Sequence, residues 1–150
     1  MLPLLVLIIV FSFVLLLIRV LKETYRPAFS ARVAMSCMLL FTASGHFAFS
    51  EGMTMMLPDF IPYKAPLVWF TGGLEILAAI GLHIPKLRKI TGLMLVLFFL
   101  LVLPANIYAA IHHIDYQNAT LEGDGPEYLW FRVPLQLFFI LWVYLSAIKG

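Results

Sequence analysis

The sequence LPLLVLIIVFSFVLLLI, residues 2–18, decides the fold class, because Ser12 is its only polar side chain. Four similar apolar runs follow, and the predicted membrane spans are residues 2–18, 33–50, 67–84, 90–111 and 128–148. Each run is close to the ~20 residues that an α-helix needs to cross a bilayer. We therefore predict an all-α, polytopic transmembrane bundle with five spans. The first run lacks a basic leader and a cleavage site of small residues, so we expect it to be a retained anchor helix.

The composition supports a membrane protein over a soluble one. Hydrophobic residues make up 63% of the chain, charged residues 12%, and the mean hydropathy is +0.99. Soluble domains have roughly half apolar and about a quarter charged residues. With 150 residues, five spans leave no room for a soluble domain. We expect an anchor helix with a basic linker at 1–32 and a four-helix domain at 33–150. The formal charge of +2, carried in short clusters between spans, gives no support for nucleic-acid binding.

The loops differ in charge, which predicts an orientation. Eight of the ten Lys and Arg residues fall on one side of the predicted spans: Arg19, Lys22, Arg26, Arg32, Lys86, Arg88, Lys89 and Lys149. Basic loops stay in the cytoplasm, so the N-terminus is predicted outside and the C-terminus inside. The other side carries the acidic loops. There, residues 51–66 are expected to form an amphipathic interfacial loop. Pro27 is expected to break the chain before the second span.

Five charged, imidazole or amide side chains lie about one turn or more inside the ends of the predicted spans: His46, Glu75, Asn106, Arg132 and Gln136. Such groups are costly in a membrane, so they normally face the bundle interior and mark a site or an interhelical lock. The predicted orientation places all five in the outer half. Arg132 is the only cation at a depth comparable to that of Glu75. We therefore expect these two to approach each other directly or through one polar bridge, either as a site or as a lock between helices.

The remaining candidates allow more than one interpretation. His46 can carry a proton, bind a metal or pack as a hydrogen-bonded histidine. Asn106, which follows a proline, can repair the kinked backbone or contact a ligand. Trp142 lies deep enough to line a pocket wall. His112 and His113 are adjacent and point apart, so no metal site is expected. Cys37 has no second cysteine with which to form an intramolecular pair.

A set of short motifs identifies a family resemblance. The motifs are Gly45-His46-Phe47, Leu57-Pro58…Ile61-Pro62, Gly72-Gly73-Leu74-Glu75-Ile76, Pro104-Ala105-Asn106-Ile107-Tyr108 and Arg132-Val133-Pro134-Leu135-Gln136…Trp142-Val143-Tyr144. In this order they resemble the DoxX-like membrane proteins. The resemblance implies a four-helix core in the bacterial inner membrane, with the leading helix as an addition. It also implies redox or respiratory partners, including thiosulfate:quinone oxidoreductase subunits. Related MauE-type proteins use cysteine pairs, which Cys37 cannot supply.

The leading functional hypothesis is an intramembrane pocket for a quinone-like or lipid-like molecule. Its polar residues would be His46, Glu75, Asn106, Arg132 and Gln136, with Trp142 among the aromatic walls. Apolar walls with a few convergent polar groups are typical of small-molecule sites. Quinone is the cofactor this predicts, with His46 or Glu75 carrying protons.

The sequence leaves three alternatives open. The chain can be a non-catalytic partner or assembly subunit, in which the polar residues only specify helix packing. It can be an enzyme that uses Glu75 and His46 for acid–base chemistry on a lipid-like substrate. Transport is the least favoured, because the chain has no internal repeat. Besides the lipid bilayer, the expected partners are another membrane protein or further copies of the chain.

Overall fold

The computed structural model describes residues 2–150, and its regular structure is helical. Within this range a single bridge between Asp115 and Thr120 is the only β-type pairing, so the all-α prediction is confirmed. A 3-10 turn, Pro126–Tyr128, precedes the last α-helix, and a π-helical segment, Tyr144–Ile148, follows it. The α-helices in chain order are α1 (Leu2–Lys22), α2 (Pro27–Ala48), α3 (Ser50–Met55), α4 (Lys64–Gly81), α5 (Arg88–Ile111) and α6 (Leu129–Val143).

Four helical stretches are long and apolar enough to cross a membrane. They are α1, α2, α5 and the continuous stretch Pro126–Ile148. By length and composition the chain is therefore a helical membrane protein. The fourth helix, α4, has 18 residues and is not among the four. The predicted span at residues 67–84, which corresponds to α4, thus stays a prediction.

Helix α2 is the centre of the bundle. It packs against α1 on one side and α4 on the other, and its first turns contact the π-helical segment. Helices α5 and α6 pack against each other, whereas α4 touches α5 only sparsely. The buried core contains side chains from α1, α2, α4, α5 and α6, with Leu7, Met35, Leu39, Leu95, Phe139 and Val143 among them. Many large apolar side chains remain exposed, as expected where lipid is the solvent.

The leading helix packs on the core rather than standing apart from it. Leu7 is completely buried, and the Phe11 ring meets the Trp142 ring edge-on with centroids 5.1 Å apart. Most of the remaining surface of α1 is exposed and apolar; Val20, for example, is 76% exposed. The helix therefore joins α2 and α6 through one narrow stripe.

The two ends of the bundle differ in charge. At the first end, here called the basic end, Arg32 donates to the Ser146 carbonyl, and Ser36 contacts His83. The loop after α1, the turn after α4 and the last residues of the chain therefore lie together. At the opposite end, the acidic end, the rings of Phe49 and Tyr116 pack edge-on. There the loop 112–125, which carries three carboxylates, covers α3.

The helix boundaries between the spans differ from expectation at two places. The chain does break next to Pro27, at residues 23–26, but Pro27 itself starts α2, six residues before the predicted span, because proline fits the first turn of a helix, where its missing N–H has no partner to lose. Residues 51–66 are not one continuous loop, since Ser50–Met55 forms the short helix α3. The helical structure therefore extends beyond both ends of the predicted second span, residues 33–50. As one result, Arg32, assigned to the linker 1–32 by sequence, is a buried residue of α2.

Candidate functional site

Glu75 and His46 form a buried pair between α4 and α2. Glu75 Oε2 lies 3.2 Å from His46 Nε2, and the two side chains are 6% and 16% exposed. The two atoms are not aligned as a hydrogen bond, and Glu75 Oε2 has no other partner among the described residues. Buried polar atoms without a partner are uncommon in native proteins. The pair is therefore the first feature of the chain that requires a functional explanation.

Two threonines complete the site in a reciprocal arrangement. Thr42 lies one turn before His46 on α2, and its hydroxyl donates to Glu75 Oε1 at 3.0 Å. Thr71 lies one turn before Glu75 on α4, and its hydroxyl is 3.1 Å from His46 Nδ1. Because α2 and α4 run in opposite directions, each threonine reaches the ionisable residue of the other helix. Four side chains thus form one polar cluster across the helix interface.

The hydrogen bonds of His46 define which ring nitrogen carries a proton. His46 Nδ1 lies 3.1 Å from the Val68 carbonyl, which can only accept, so Nδ1 is assigned as the donor. Nε2 then faces Glu75. The pair can hold a neutral imidazole with a carboxylic acid, or an imidazolium with a carboxylate. These two states differ only in the position of one proton.

Gly72 sets the distance between the two helices at this level. A Cβ at this position would lie 2.8 Å from His46 Cβ and 3.2 Å from the Phe47 ring. Only glycine therefore permits the approach of α4 to α2 that brings His46 to Glu75. A Cβ on the neighbouring Gly73 would have nothing within 4 Å. The Gly72-Gly73 pair is thus asymmetric, with one glycine in the interface and one on the open face of α4.

The expected approach of Glu75 to Arg132 is wrong. Glu75 contacts His46, and between residues 2 and 150 Arg132 forms no salt bridge. Helix α6, which carries Arg132, packs on α5 and the π-helical segment rather than on α4. Arg132 instead lies near the loop of the acidic end. Burial raises the pKa of Tyr116 in that loop, and the Arg132 charge opposes the rise.

Asn106 and Gln136 are occupied by backbone carbonyls. Asn106 Nδ2 donates to the Val102 carbonyl of its own helix at 3.2 Å. Gln136, which is 2% exposed, donates to the Phe99 carbonyl at 2.8 Å and so links α6 to α5. Gln136 Oε1 is buried without a partner in the described chain. The structure therefore favours the packing interpretation for Gln136, whereas Asn106 bonds the Val102 carbonyl and not the Leu100 carbonyl that Pro104 leaves without its helical donor.

Trp142 lies far from the His46–Glu75 pair. Its indole N–H donates to the Ala31 carbonyl at 3.0 Å, near the start of α2. Ala31 precedes His46 by fifteen residues on that helix, a separation of about 22 Å along the axis. Trp142 thus packs at the basic end, against Phe11 and Phe138. The six predicted site residues do not form one pocket, and only His46 and Glu75 come together.

A surface depression opens at the acidic end. Its volume is about 300 Å³, and it is lined by Thr54, Met55, Asp59, Lys64, Tyr108, His112, Ile114 and Leu121. Lys64 donates to Asp59 Oδ1 at 3.1 Å on its rim. Lys64 also lies four residues before Val68, whose carbonyl contacts His46. The Lys64 rim therefore lies about one turn of α4 before the carbonyl that His46 contacts, and neither His46 nor Glu75 lines the depression. A second depression, of about 330 Å³, lies on the apolar face of α4 around Gly73 and Leu77.

The sequence contains a signal for the two threonines. Thr42 and His46 are four residues apart, and so are Thr71 and Glu75. Residues at this spacing share a helix face. Two such pairs on neighbouring spans predict one polar patch on each helix, which can be matched in antiparallel packing. Threonine is neither ionisable nor an amide, so Thr42 and Thr71 are not among the costly side chains that the sequence marks most clearly.

Comparison with known proteins gives one result. No curated protein and no solved structure matches the chain. One family matches, over residues 35–147, a range that contains His46 and Glu75 as well as Thr42 and Thr71. The match covers most of the chain and excludes α1. The chain therefore belongs to the family described as Domain of unknown function (DUF8561).

Proposed function

We propose that the protein is a DoxX-like protein of the bacterial inner membrane that binds a quinone-like or lipid-like molecule at the His46–Glu75 pair. One observation carries the proposal. Glu75 is 5% exposed, its Oε2 atom has no hydrogen-bond partner in the described chain, and His46 lies next to it. When no protein group donates to a carboxylate oxygen within a span, that oxygen can accept a hydrogen bond from a ligand hydroxyl.

The pair has the chemistry needed for a ligand that gains or loses protons. A proton can move between Glu75 and His46 without bringing a net charge into the membrane. A quinone takes up two electrons and two protons when it becomes a quinol. In this proposal a redox partner in the membrane supplies or removes the electrons, and the pair supplies or accepts a proton at the ligand oxygen.

The depression at the acidic end provides the approach. Its volume of about 300 Å³ is at the lower limit of small-molecule pockets, which suits a ring-sized polar head but not a whole isoprenoid chain. The lining mixes apolar side chains with Tyr108, His112 and Lys64. The head would enter beside α4, and the apolar tail would remain in lipid along the exposed aromatic face of α4 and α2.

The proposed topology has five spans, with the N-terminus outside and the C-terminus inside. Helix α4 contacts His46 at its start and Ser36 near its end, so it runs through the bundle alongside α2. Its 18 residues measure about 27 Å, close to the ~30 Å hydrocarbon core. The basic end would then face the cytoplasm. The depression at the acidic end would then open toward the outer side.

The proposed partners follow from the same arrangement. The apolar exposed surface of the bundle contacts the bilayer. A redox enzyme of the membrane, or further copies of the chain, would complete the site from the open side of α4. The second depression, around Gly73 and Leu77, offers a small concave surface there.

Ligand titration of three variants tests the proposal. The purified protein in mild detergent is titrated under anaerobic, reducing conditions with decyl-ubiquinol, whose hydroxyls can donate to Glu75, and binding is followed by tryptophan fluorescence. Glu75→Gln keeps the shape of the side chain but cannot accept or release a proton. Loss of one charge-assisted hydrogen bond weakens binding by about tenfold to a hundredfold. We expect this loss for Glu75→Gln and for His46→Gln.

Glu51→Gln is the matched control. Glu51 is an exposed carboxylate of α3 at the acidic end, so this variant removes the same charge without touching the pair. Its binding should stay within about twofold of the original protein. Equal weakening in Glu51→Gln and Glu75→Gln would overturn the proposal, as would saturable binding that no variant of the pair changes. Mass spectrometry of molecules that co-purify with the original protein identifies the natural ligand.

A second candidate function is that of an assembly subunit in which the pair only locks α4 to α2. The close approach at Gly72 favours it, because such contacts are typical of helix interfaces in membranes. In this case Glu75→Gln lowers thermal stability or recovery of a membrane complex, and ligand binding is absent from all proteins. Measuring melting temperature together with the titration separates the two functions.

A further inference from the structure

Two arginines at the basic end are partly buried without a counter-ion. Arg32 is 7% exposed, and its Nη1 donates to the Ser146 carbonyl at 2.7 Å. Its Nε atom is buried without a partner, and the same is true of Arg88 Nε. In the portion of the chain that the structure describes, no carboxylate lies within salt-bridge distance of either guanidinium. Buried charges are normally paired, so the arrangement lacks an anion.

His83 brings the two arginines into one cluster. Its Nε2 atom lies 2.9 Å from the hydroxyl of Ser36, which is one turn after Arg32 on α2. Burial lowers the pKa of His83, and the charges of Arg32 and Arg88 lower it further. All three groups therefore share one electrostatic environment. Ser36 donates its own proton to the Ala79 carbonyl, so the His83 Nε2 atom is assigned as the donor to Ser36.

The start of α5 adds to the positive potential. Arg88 is its first residue, and no side chain caps this end of the 24-residue helix. The first N–H groups of a helix lack partners within the helix, and the helix dipole favours an anion there. Gly92, one turn further on, lies against Ala147 and Ile148, so this end faces the π-helical segment and the Ser146 carbonyl to which Arg32 donates.

We propose that Arg32, Arg88 and His83 form a binding site for a phosphate group, presented by an anionic phospholipid headgroup. Guanidinium groups match phosphate oxygens in geometry and charge, and a planar fork can donate two parallel hydrogen bonds. The cluster lies between helices at the end that carries eight of the ten basic residues. Basic sites between helices at this level of a membrane bind anionic headgroups. The proposal is independent of the function proposed for His46 and Glu75.

Lipid and phosphate titrations test the site and its source. The protein in phosphatidylcholine nanodiscs or neutral detergent is titrated with short-chain phosphatidylglycerol, with phosphatidylcholine and with inorganic phosphate. The melting temperature and native mass spectrometry report binding. Phosphatidylglycerol should bind at least tenfold more tightly than phosphatidylcholine. If inorganic phosphate gives the same stabilisation at matched concentration, the phosphate chemistry holds and the source is soluble.

Arg88→Gln and Lys89→Gln form a matched pair. Each removes one positive charge from the start of α5, but Arg88 Nε is buried, whereas Lys89 is exposed. We expect Arg88→Gln to weaken phosphatidylglycerol binding about tenfold or more, and Lys89→Gln to change it less than about twofold. Equal effects would show general attraction to a charged surface and overturn the proposal. Absence of binding by both phosphatidylglycerol and phosphate would also overturn it.

A spectroscopic measurement keeps the test valid if Arg88→Gln fails to fold. The imidazole resonances of His83, assigned by comparison with His83→Gln, are titrated with and without phosphatidylglycerol in the unchanged protein. A bound phosphate offsets the charges of both arginines, so the pKa of His83 should rise toward its ordinary value of 6.5. An unchanged titration curve at saturating lipid would count against the site.

Discussion

The packing of α4 on α2 can be tested with two neighbouring glycines. Gly72→Ala and Gly73→Ala make the same chemical change near the middle of α4. Each replaces a glycine in a helix interior, which by itself stabilises the helix by about 1 kcal/mol. This gain is common to both variants, so it cancels when they are compared. What remains is the fit of one methyl group.

The structure predicts opposite results for the two methyl groups. At Gly73 the added carbon meets nothing within 4 Å, so the variant should be more stable than the original protein by up to about 1 kcal/mol. At Gly72 the carbon would lie 2.8 Å from His46 Cβ. Overpacking of this kind typically costs about 1–3 kcal/mol. Gly72→Ala should therefore be less stable than Gly73→Ala by about 1–3 kcal/mol.

Reversible unfolding in mixed detergent micelles measures this difference. Both variants are titrated with sodium dodecyl sulfate, and helicity gives the free energy of unfolding. Nuclear magnetic resonance of His46 supplies a second measurement, because separation of the helices lengthens the 3.2 Å contact with Glu75. The reasoning would be refuted if the two variants agreed within about 0.5 kcal/mol, or if Gly73→Ala were the less stable one.

Two further predictions concern the link between α5 and α6 and the loop of the acidic end. Gln136→Leu should change stability by less than about 1 kcal/mol, because loss of the bond to Phe99 is offset by removal of the unpartnered Oε1 atom; a loss above about 2 kcal/mol in the same unfolding assay would contradict this. Asp115 accepts hydrogen bonds from Asn118 and Gln117, which lower its pKa below the ordinary 3.8. The carboxylate therefore stabilises the loop above about pH 4 and ceases to do so as the pH falls through its lowered pKa. The protection factors of the amide hydrogens in residues 112–125 should fall in that range, and Asp115→Asn should show low protection factors at every pH tested.

Much of the fold could be predicted from the sequence. Residues 2–18 contain one polar side chain, and the helix found there, Leu2–Lys22, extends only a few residues further. The predicted run 90–111 likewise matches α5. These predictions hold because the hydropathy of a span is a local property of about twenty residues. The differences occur at Pro27 and α3, where helix ends depend on capping and contacts that hydropathy does not record.

The candidate site could be predicted only in part. The cost of polar groups in a membrane identified His46 and Glu75 as residues that need a partner. The depth of each residue in the membrane did not decide the partner of Glu75, because His46 and Arg132 both lie at depths from which they can reach it. Arg32 shows the same limit, since the sequence assigned it to the basic linker within residues 1–32. The structure instead buries it against the Ser146 carbonyl.

The sequence by itself determined that the chain is helical, that lipid is its solvent, and which residues are costly to place there. Only the tertiary structure decided that Glu75 meets His46 and that Arg32 is buried against the Ser146 carbonyl. The reason is geometric. Hydropathy and charge fix the position of each residue along the helix axis, whereas the rotation of a helix and its neighbours depend on side-chain packing. A single contact such as that of Gly72 with His46 therefore has no signature in one segment alone.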